Sequence, residues 1–325
     1  MRGYVRKVLK RGLLQTTQSG VVLLYHRVAD LETDPQLLAV SPRNFADHLE
    51  VLRQSYLPVR LRELRGSARW FFPRTHPVAL TFDDGYADNL HHALPLLEAA
   101  GIPATAFVVA GQIGLEEEYW WDDLERIILR TPDLPESLQL TIESRQFSWH
   151  LPRAGHGSDR QAAYDDLSEL LRPLSTPARE RVLGSLRSWA NVNAAGRAHN
   201  RALTEEDVVE LAKSGLVEVG SHTLTHPLLS KQPIGVQKEE IEASKRRLEG
   251  ILNTRVQSFC YPFGDREAYT PATVRLVKVT GYECACSNFF GRVYRWTDPY
   301  QIPRFIVEDW TGDEFARRLN AVFCA

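Results

Sequence analysis

The sequence predicts an α/β protein built around a parallel β-sheet. Three short runs, VVLLYH (21–26), PVALTF (77–82) and PATAFVV (103–109), are apolar along nearly their whole length, which is typical of strands buried on both faces. Segments with helical spacing of apolar residues lie between them. Such strands, alternating with helices, form a parallel sheet covered by helices. The 325 residues are 43% hydrophobic and could build one large α/β domain or two smaller ones.

The first two predicted helices have clear termini. In SPRNFADHLEVLRQS, Ser41 has the residue type of an N-cap, and Pro42 occupies the first helical position. The second helix, ADNLHHALPLLEAAG, ends at Gly101, because glycine adopts the left-handed conformation common at helix ends. The chain up to residue ~110 therefore alternates strand and helix.

The alternation breaks between residues ~112 and ~200, which we interpret as a mainly helical insertion in the α/β domain. It contains a helical stretch over 119–130, a hairpin of LQLTI and FSWHL around ESRQ, and helical stretches near 158–172 and 177–190. Its charge and few glycines are typical of folded structure. Trp120, Trp121 and Trp149 are assigned to core packing of the insertion in preference to stacking on sugar rings.

The alternation of strands and helices resumes at residue 203. Thr204 and Asp207 match a capping box, and Gly215 ends that helix. The remaining elements are the strand LVEVGS, a helix over about 234–252, the strand VQSFCY, the helix PATVRLVKVTG, the strands ECACS and QIPRFIV, and a helix from Asp313. We therefore expect six or seven parallel strands within one domain, residues 21–325, that the insertion interrupts.

Charge and cysteine content exclude several classes of protein. A formal net charge of -2 with 25% charged residues favours neither nucleic acid nor an acidic partner. The four cysteines form no CxxC pair, so a thiolate zinc site is not expected. Few cysteines, a start without the apolar core of a secretory signal and no run of ~20 apolar residues predict a cytoplasmic protein that does not span a membrane.

Residues 1–20 form a separate basic segment. MRGYVRKVLKRGLLQ places lysines and arginines among apolar residues at a spacing that separates them roughly into two helical faces. Basic amphipathic helices bind anionic membrane surfaces, so residues 1–14 are candidates for peripheral contact with the inner face of the membrane. A solvated helix or a frayed tail packed on the domain explains the same pattern.

An acidic pair follows the second strand. In LTFDDGYADN, Asp83 and Asp84 stand where the apolar run stops, and adjacent carboxylates repel each other unless something compensates them. A solvated turn between strand and helix is the simplest explanation of DDG. A bound cation is the alternative, and other parts of the chain would have to supply its remaining ligands.

Two histidines follow another apolar strand. GSHTLTHP places His222 and His226 four residues apart, and Pro227 disfavours α geometry at His226, so the pair lies at a corner between strand and loop. The carboxyl ends of parallel strands share one edge, which brings these imidazoles toward Asp83 and Asp84. Two imidazoles and one carboxylate make a three-ligand metal site that can activate water, and the second aspartate can accept the proton. Two polar loop histidines are the alternative.

With these residues in place, the sequence resembles the polysaccharide deacetylases of the NodB-homology group, carbohydrate esterase family 4. The resemblance rests on TFDDG (81–85), SHTLTH (221–226) and YPFG (261–264), which occur in the family's order, and it covers about residues 21–110 and 203–310. It implies a distorted (β/α) barrel of seven or eight strands and metal-dependent removal of N-acetyl or O-acetyl groups from sugars.

The resemblance also implies roles for single residues. Asp83 would be the general base, and Asp84, His222 and His226 would be the ligands of a divalent metal, usually zinc. The backbone N–H of Phe263 would stabilise the oxyanion that forms on the acetyl carbonyl.

The chain departs from the family pattern at two positions. Where the third motif carries an arginine that holds the catalytic base, this chain has Cys260; Arg304 is the candidate replacement, with a surface ion pair as the alternative. The late histidine that supplies the general acid is absent after residue 290. His26 in LLYHRV is similar to the YH motif of a branch whose catalytic motifs look circularly permuted, in which it protonates the departing amine; a structural histidine is the alternative.

Together these features predict a metal-dependent hydrolase that removes N-acetyl groups from an N-acetylated saccharide. A cytoplasmic location favours a biosynthetic intermediate, either a nucleotide sugar or a lipid-linked glycan, and the basic amino-terminal segment favours the lipid-linked one. Two alternatives use the same residues. One is hydrolysis of a formyl or other amide on a lipid-linked sugar, and the other is a glycan-binding protein that has lost turnover.

Overall fold

The structure is a computed structural model that describes residues 19–65, 76–151 and 157–324. The basic amphipathic segment predicted at residues 1–14, with its membrane contact, lies outside the described residues. None of the described helices combines the length and the apolar character needed to cross a bilayer.

The described strands form a main parallel sheet, a short parallel pair and a hairpin. In chain order they are β1 (Val21–Tyr25), β2 (Arg27–Val28), β3 (Ala39–Val40), β4 (Leu57–Pro58), β5 (Pro77–Phe82), β6 (Ala104–Val108), β7 (Ser137–Ile142), β8 (Arg145–His150), β9 (Val217–Ser221), β10 (Ser258–Cys260), β11 (Cys284–Cys286) and β12 (Phe305–Ile306).

The described α-helices lie between these strands. They are α1 (Pro42–Ser55), α2 (Leu94–Ala100), α3 (Trp120–Glu125), α4 (Gly157–Leu171), α5 (Thr176–Ala190), α6 (Glu205–Lys213), α7 (Ile234–Leu252), α8 (Pro271–Val279) and α9 (Gly312–Cys324). A wide turn of π type, Asn89–Ala93, precedes α2, so the regular α-helix there is shorter than the predicted one.

The main sheet curls into a distorted barrel. Its strands run in the order β11–β10–β9–β6–β5–β1–β12 with parallel pairing, and β4 pairs with the first two residues of β5. Ile302 forms a parallel bridge with Cys286 of β11, and Phe305 of β12 pairs with Leu23 of β1, so the last segment joins the two ends of the sheet. The predicted fold class is confirmed. The count of six or seven parallel strands is too low, because the two-residue β4 adds an eighth, whereas the seven or eight strands that the resemblance implies are confirmed.

An apolar layer covers each face of the main sheet. Its strands β1, β5 and β6 are buried at every position. Side chains on one face of these strands, such as Val22, Ala79 and Phe107, pack together with Cys260 and Cys286. The other face packs with helices, including Phe45 of α1 and Ile241 of α7, in the largest apolar cluster. The strands are apolar on both faces because both faces are covered.

The predicted helix ends are confirmed. Ser41 caps α1 by accepting a hydrogen bond from Asn44 N. Thr204 and Asp207 form the capping box of α6. Gly101 ends α2 with a φ of 66°, in the left-handed region that glycine adopts without strain.

The hairpin turn is tighter than predicted. Strands β7 and β8 are joined by only Glu143 and Ser144, with φ values of 46° and 68°. A two-residue turn with both φ values positive matches the right-handed twist of the strands. The four-residue turn ESRQ was wrong, since Arg145 pairs with Ile142 in the ladder.

The part of the chain predicted as an insertion has an apolar cluster of its own. Leu138 of β7, Leu167 of α4 and Leu186 of α5 are completely buried in this cluster, together with Leu124 of α3. The insertion of residues ~112–200 into one domain stays a prediction, and its separate cluster of buried side chains supports it.

A histidine buried in the core, His48, is expected to make the stability of the fold depend on pH. Sequence analysis gave no role to His48. Its ring is completely buried, with Nδ1 3.3 Å from Tyr25 Oη and Nε2 2.7 Å from Trp310 O. The neutral ring satisfies both contacts by accepting from the tyrosine and donating to the carbonyl. Burial lowers the pKa of His48 to about 4.

Acidification is therefore expected to destabilise the chain partly through His48. The unfolded chain binds this proton with a pKa of about 6.5 and the folded chain with one of about 4, so stability is lost as pH falls between these values. As the pH falls from about 7.5 to about 5, protonation linked to His48 should lower the free energy of unfolding by about 2 kcal/mol. Urea unfolding at several pH values should show a shallower decline for His48→Gln than for the natural chain; equal declines would contradict this assignment.

Candidate metal and catalytic site

Loops at the carboxyl ends of several strands meet on one rim of the barrel. Asp83 follows β5, and its N–H donates to Tyr25 O at the end of β1 (2.9 Å). His222 follows β9, and its N–H donates to Val108 O at the end of β6 (2.9 Å). These bonds continue the parallel ladder past the strand ends and so hold the loops against one another.

Asp84, His222 and His226 form a compact cluster on this rim. The Nε2 atoms of both histidines lie 3.5 Å from Asp84 Oδ1. Candidate ligand atoms of the three residues all lie within 4.8 Å of one another, and all three residues are buried. The structure therefore brings together the three side chains that sequence analysis proposed as metal ligands.

The residues of this cluster fit a divalent cation. Nδ1 of His222 lies 2.9 Å from Cys260 O, which places the ring proton on Nδ1 and leaves Nε2 free to accept a metal. Burial raises the pKa of Asp84, and the charge of Asp83 raises it further. Burial also lowers the pKa of both histidines. These opposed shifts reflect an ionised carboxylate that the protein alone compensates poorly, and a cation among the three donors would supply the missing charge.

Asp83 is held by Arg304, outside the cluster of three. Nη1 and Nη2 of Arg304 donate to the two carboxylate oxygens at 2.7 and 2.6 Å. Burial alone would raise the pKa of Asp83, but the charge and hydrogen bonds of Arg304 outweigh it and hold that pKa below its usual range. Arg304 is 1% exposed, so the alternative of a surface ion pair is wrong. An ionised, oriented carboxylate results, with Oδ2 3.8 Å from Nε2 of His222.

Cys260 lies between these two charged groups. Its Sγ is 3.4 Å from Asp83 Oδ2 and 3.0 Å from Arg304 Nη2. The guanidinium of Arg304 thus occupies the space that a longer side chain at position 260 would enter. Asp83, His222 and Cys260 form a second group with potential donor atoms within 4.8 Å of one another. The nearby guanidinium opposes a cation at that second position.

His26 faces the same rim from the end of β1. Asn89 Nδ2 donates to its carbonyl oxygen at 2.9 Å and fixes the backbone there. Burial lowers the pKa of His26 to about 4, and the negative charge of Asp83 opposes that shift. The ring is therefore neutral at neutral pH and close enough to Asp83 to interact with its charge.

Phe263 contributes a backbone donor and an aromatic wall. None of the hydrogen bonds among residues 19–65, 76–151 and 157–324 uses its N–H. Its ring packs edge-on against His226 at a centroid distance of 4.9 Å, and the guanidinium of Arg172 lies 4.6 Å from its centre. The N–H is thus free to donate to a bound molecule.

Backbone strain is concentrated at this site. Asp84, Thr223, His226 and Phe263 have φ values of 73°, 67°, 54° and 61°. Residues with a Cβ rarely adopt this region, at a cost of roughly 1–3 kcal/mol each, and such residues cluster at functional sites. Thr223 Oγ1 accepts the N–H of His226 at 3.1 Å and helps to hold the turn. Two of the three candidate ligands, Asp84 and His226, and the residue with the free N–H, Phe263, are thus among the strained positions.

A cavity of about 460 Å³ opens over these residues. Of the seven candidate site residues, the ones that line it are His26, Asp83, Asp84, His222, His226 and Phe263, while Arg304 lies behind Asp83. The prediction that Trp120 and Trp149 pack against the apolar cluster of the insertion is confirmed, whereas Trp121 is buried with Tyr119 in another cluster. Trp120 and Trp121 also line this cavity, and the ring of Trp121 packs against that of His226 with centroids 4.9 Å apart.

Arg172, just after α4, is a cavity residue that sequence analysis missed. It lines the cavity, lies over Phe263 and forms an ion pair with Asp265. In the sequence, Arg172 and Arg160 are the two cations of the helical stretch predicted near 158–172, and nothing distinguishes one from the other.

The chain matches the family model described as polysaccharide deacetylase over residues 73–131 and 162–285. It is 20% identical over 306 residues to the putative polysaccharide deacetylase YxkH of Bacillus subtilis (strain 168), an alignment that covers 93% of this chain and 76% of the relative.

Two solved structures share the fold. The Streptococcus pyogenes deacetylase PplD, solved in complex with acetate, superposes with a TM-score of 0.59 at 18% identity over 95% of this chain and 99% of that one. IcaB from Ammonifex degensii superposes with a TM-score of 0.59 at 22% identity over 95% of this chain and 98% of that one. At these identities the likeness establishes the barrel architecture alone.

Proposed function

The chain belongs to the polysaccharide deacetylase family and is a glycan deacetylase, and on that premise we propose that it removes N-acetyl groups from an N-acetylated saccharide through the site on the barrel rim. One observation carries the proposal. An arginine-held carboxylate, Asp83, lies 3.8 Å from a histidine of the three-residue cluster whose donor atoms lie within 4.8 Å of one another.

Asp84, His222 and His226 would hold the divalent ion, and zinc is proposed because two imidazoles and one carboxylate match a catalytic zinc site. When bound, the ion polarises the acetyl carbonyl and lowers the pKa of the attacking water. The Nδ1–H of His222 donates to Cys260 O and keeps its Nε2 directed at the cluster.

The remaining residues handle protons and charge. Asp83 accepts the proton of the attacking water, and Arg304 keeps that carboxylate ionised and oriented. The N–H of Phe263 donates to the carbonyl oxygen as negative charge develops on it. His26, whose ring is neutral in the free chain, would pass to the nitrogen the proton that Asp83 takes from the water, so that the carbon–nitrogen bond breaks and acetate and an amine leave.

Chelation is expected to abolish deacetylation, and one equivalent of a divalent ion should restore it. Elemental analysis should find about one divalent ion per chain. His226→Ala removes one of three ligands and should lower metal affinity at least about tenfold, whereas His92→Ala, on an exposed turn outside the cavity, should leave it unchanged. A natural chain that deacetylates fully without any metal would contradict the proposed ligand set.

The substrate proposed in the cell is a lipid-linked glycan at the inner face of the membrane. The basic, amphipathic sequence of residues 1–14 supports this location. Vesicles with anionic lipids should retain the full chain, and deletion of residues 1–14 should release it while leaving activity on a soluble oligosaccharide unchanged. Equal retention of both chains would overturn the proposed contact.

A further inference from the structure

A buried cation without a carboxylate partner lies behind the candidate metal site. Arg179, in the first turns of α5, is 3% exposed, and no ion pair among the described residues includes it. Within the described part of the chain its Nη1 has no hydrogen-bond partner, its Nη2 makes a long bond of 3.3 Å to Thr225 O, and its guanidinium lies 5.1 Å from the ring centre of Trp120. An unpaired guanidinium in a buried environment is strongly unfavourable unless something else supplies negative charge.

A second unpartnered donor lies beside it. Nδ1 of His226 is buried and has no hydrogen-bond partner in residues 19–65, 76–151 and 157–324, while its Nε2 faces Asp84. A histidine that binds a cation through Nε2 carries its proton on Nδ1 and normally donates it to an acceptor. His222 follows that rule with Cys260 O. Among the described residues His226 has no such acceptor, so a proton on its Nδ1 would be free to donate to a bound molecule.

Arg179 and His226 line the same cavity, which has a volume of about 410 Å³. This cavity adjoins the one over Asp83, and the side chains of His226 and Trp120 line both. The hydroxyls of Thr176 and Thr225 lie 2.7 Å apart on its wall. Leu183 and Leu224 add apolar surface. The cavity thus combines two free donors with an apolar wall.

The carboxylates that line this cavity are engaged elsewhere or point to solvent. Glu118 pairs with Arg197, and Glu180 pairs with Arg187. Glu117 is exposed. None of them forms an ion pair with Arg179. The buried Glu240 acts on Arg179 only through its charge, because its oxygens accept from the N–H groups of Leu224 and Thr225 and from the Thr225 hydroxyl. Among the described residues, Nη1 of Arg179 therefore remains free for a ligand.

We propose that this cavity binds a small monocarboxylate, one oxygen of which accepts hydrogen bonds from Arg179 Nη1 and His226 Nδ1. The negative charge compensates the guanidinium, and the apolar tail contacts the leucines. A water molecule could accept both bonds but could not supply the charge. Since the anion would hold the ring of His226, anion binding and metal binding at that residue should strengthen each other.

Thermal unfolding of the full, chelator-treated chain in sodium acetate tests the proposal, with equal concentrations of sodium chloride for comparison. Chelation prevents acetate from binding to a metal. We expect a saturable rise in Tm that is larger in acetate than in chloride. Arg179→Met should weaken acetate binding at least about tenfold, because a charge-assisted hydrogen bond is lost. Arg181→Met, an exposed position of the same helix, should leave it unchanged.

Without acetate, Arg179→Met is expected to be at least as stable as the natural chain, since a methionine needs no counter-charge. Equal acetate effects in the natural chain and Arg179→Met, or no acetate-specific effect in the natural chain, would overturn the proposal. A crystal structure of the natural chain soaked in sodium bromide decides the matter if the variant does not fold. An anomalous peak beside Arg179 Nη1 and His226 Nδ1 supports an anion site, and a water alone there contradicts it.

Discussion

Asp83→Asn is expected to lower deacetylation by about 10²–10⁴-fold while the metal stays bound. The amide keeps the shape of the carboxylate but cannot accept a proton from water. Asp84, His222 and His226 remain unchanged, so metal content should stay near that of the natural chain. Steady-state release of acetate, together with elemental analysis of the same preparation, measures both quantities.

A matched control separates this effect from a general loss of charge in the cavity. Asp265 lines the same cavity and pairs with Arg172 instead of Arg304. Asp265→Asn should change turnover far less than Asp83→Asn. Comparable losses in both variants, or loss of the metal in Asp83→Asn, would mean that Asp83 is not the proton acceptor.

Arg304→Leu is expected to destabilise the folded chain by about 3–5 kcal/mol, because it leaves the Asp83 carboxylate buried and unpaired. Arg304 also donates to Ser287 O at 2.8 Å and to Thr81 Oγ1 at 3.1 Å, and both acceptors lose this donor. Activity should fall as well, since the carboxylate loses the group that orients it. Urea denaturation gives the change in unfolding free energy.

Transferring the arginine from position 304 to position 260 tests whether it orients Asp83 for catalysis or only stabilises the fold. Cys260 Sγ lies 3.4 Å from Asp83 and 3.0 Å from Arg304, so an arginine at position 260 can reach Asp83 once residue 304 is small. The double variant Cys260→Arg, Arg304→Leu should recover a substantial part of the activity that Arg304→Leu loses. Recovery of stability without any recovery of turnover would restrict Arg304 to a structural role.

The candidate site was largely predictable from the sequence because most of its polar side chains lie at the ends of predicted strands. Asp83, Asp84, His222 and His226 each follow an apolar run, and a parallel sheet gathers such positions on one rim. Arg304 could be inferred only through the resemblance, since the family position is Cys260. Its distance of 44 residues from Cys260 along the chain gives no local signal of the contact.

Other features depend on packing between distant segments. Trp121 and Arg172 reach the cavity because the chain between ~112 and ~200 lies against the barrel rim, and no periodicity encodes that contact. The strand β4 has only two residues, too few for an alternating pattern to appear. Nδ1 of His226 and Nη1 of Arg179 lack hydrogen-bond partners among the described residues because both side chains are buried beside the same cavity, and the sequence does not indicate that burial.

Anomalous diffraction from crystals of the zinc-loaded natural chain, recorded at the zinc absorption edge, tests the central claim most directly. We expect one peak among Asp84 Oδ1 and the Nε2 atoms of His222 and His226, with Asp83 held by Arg304 and outside the metal's ligands. A peak bound instead by Asp83 and Cys260, or no peak on this rim, would contradict the proposal that Asp84 is a metal ligand and Asp83 the proton acceptor.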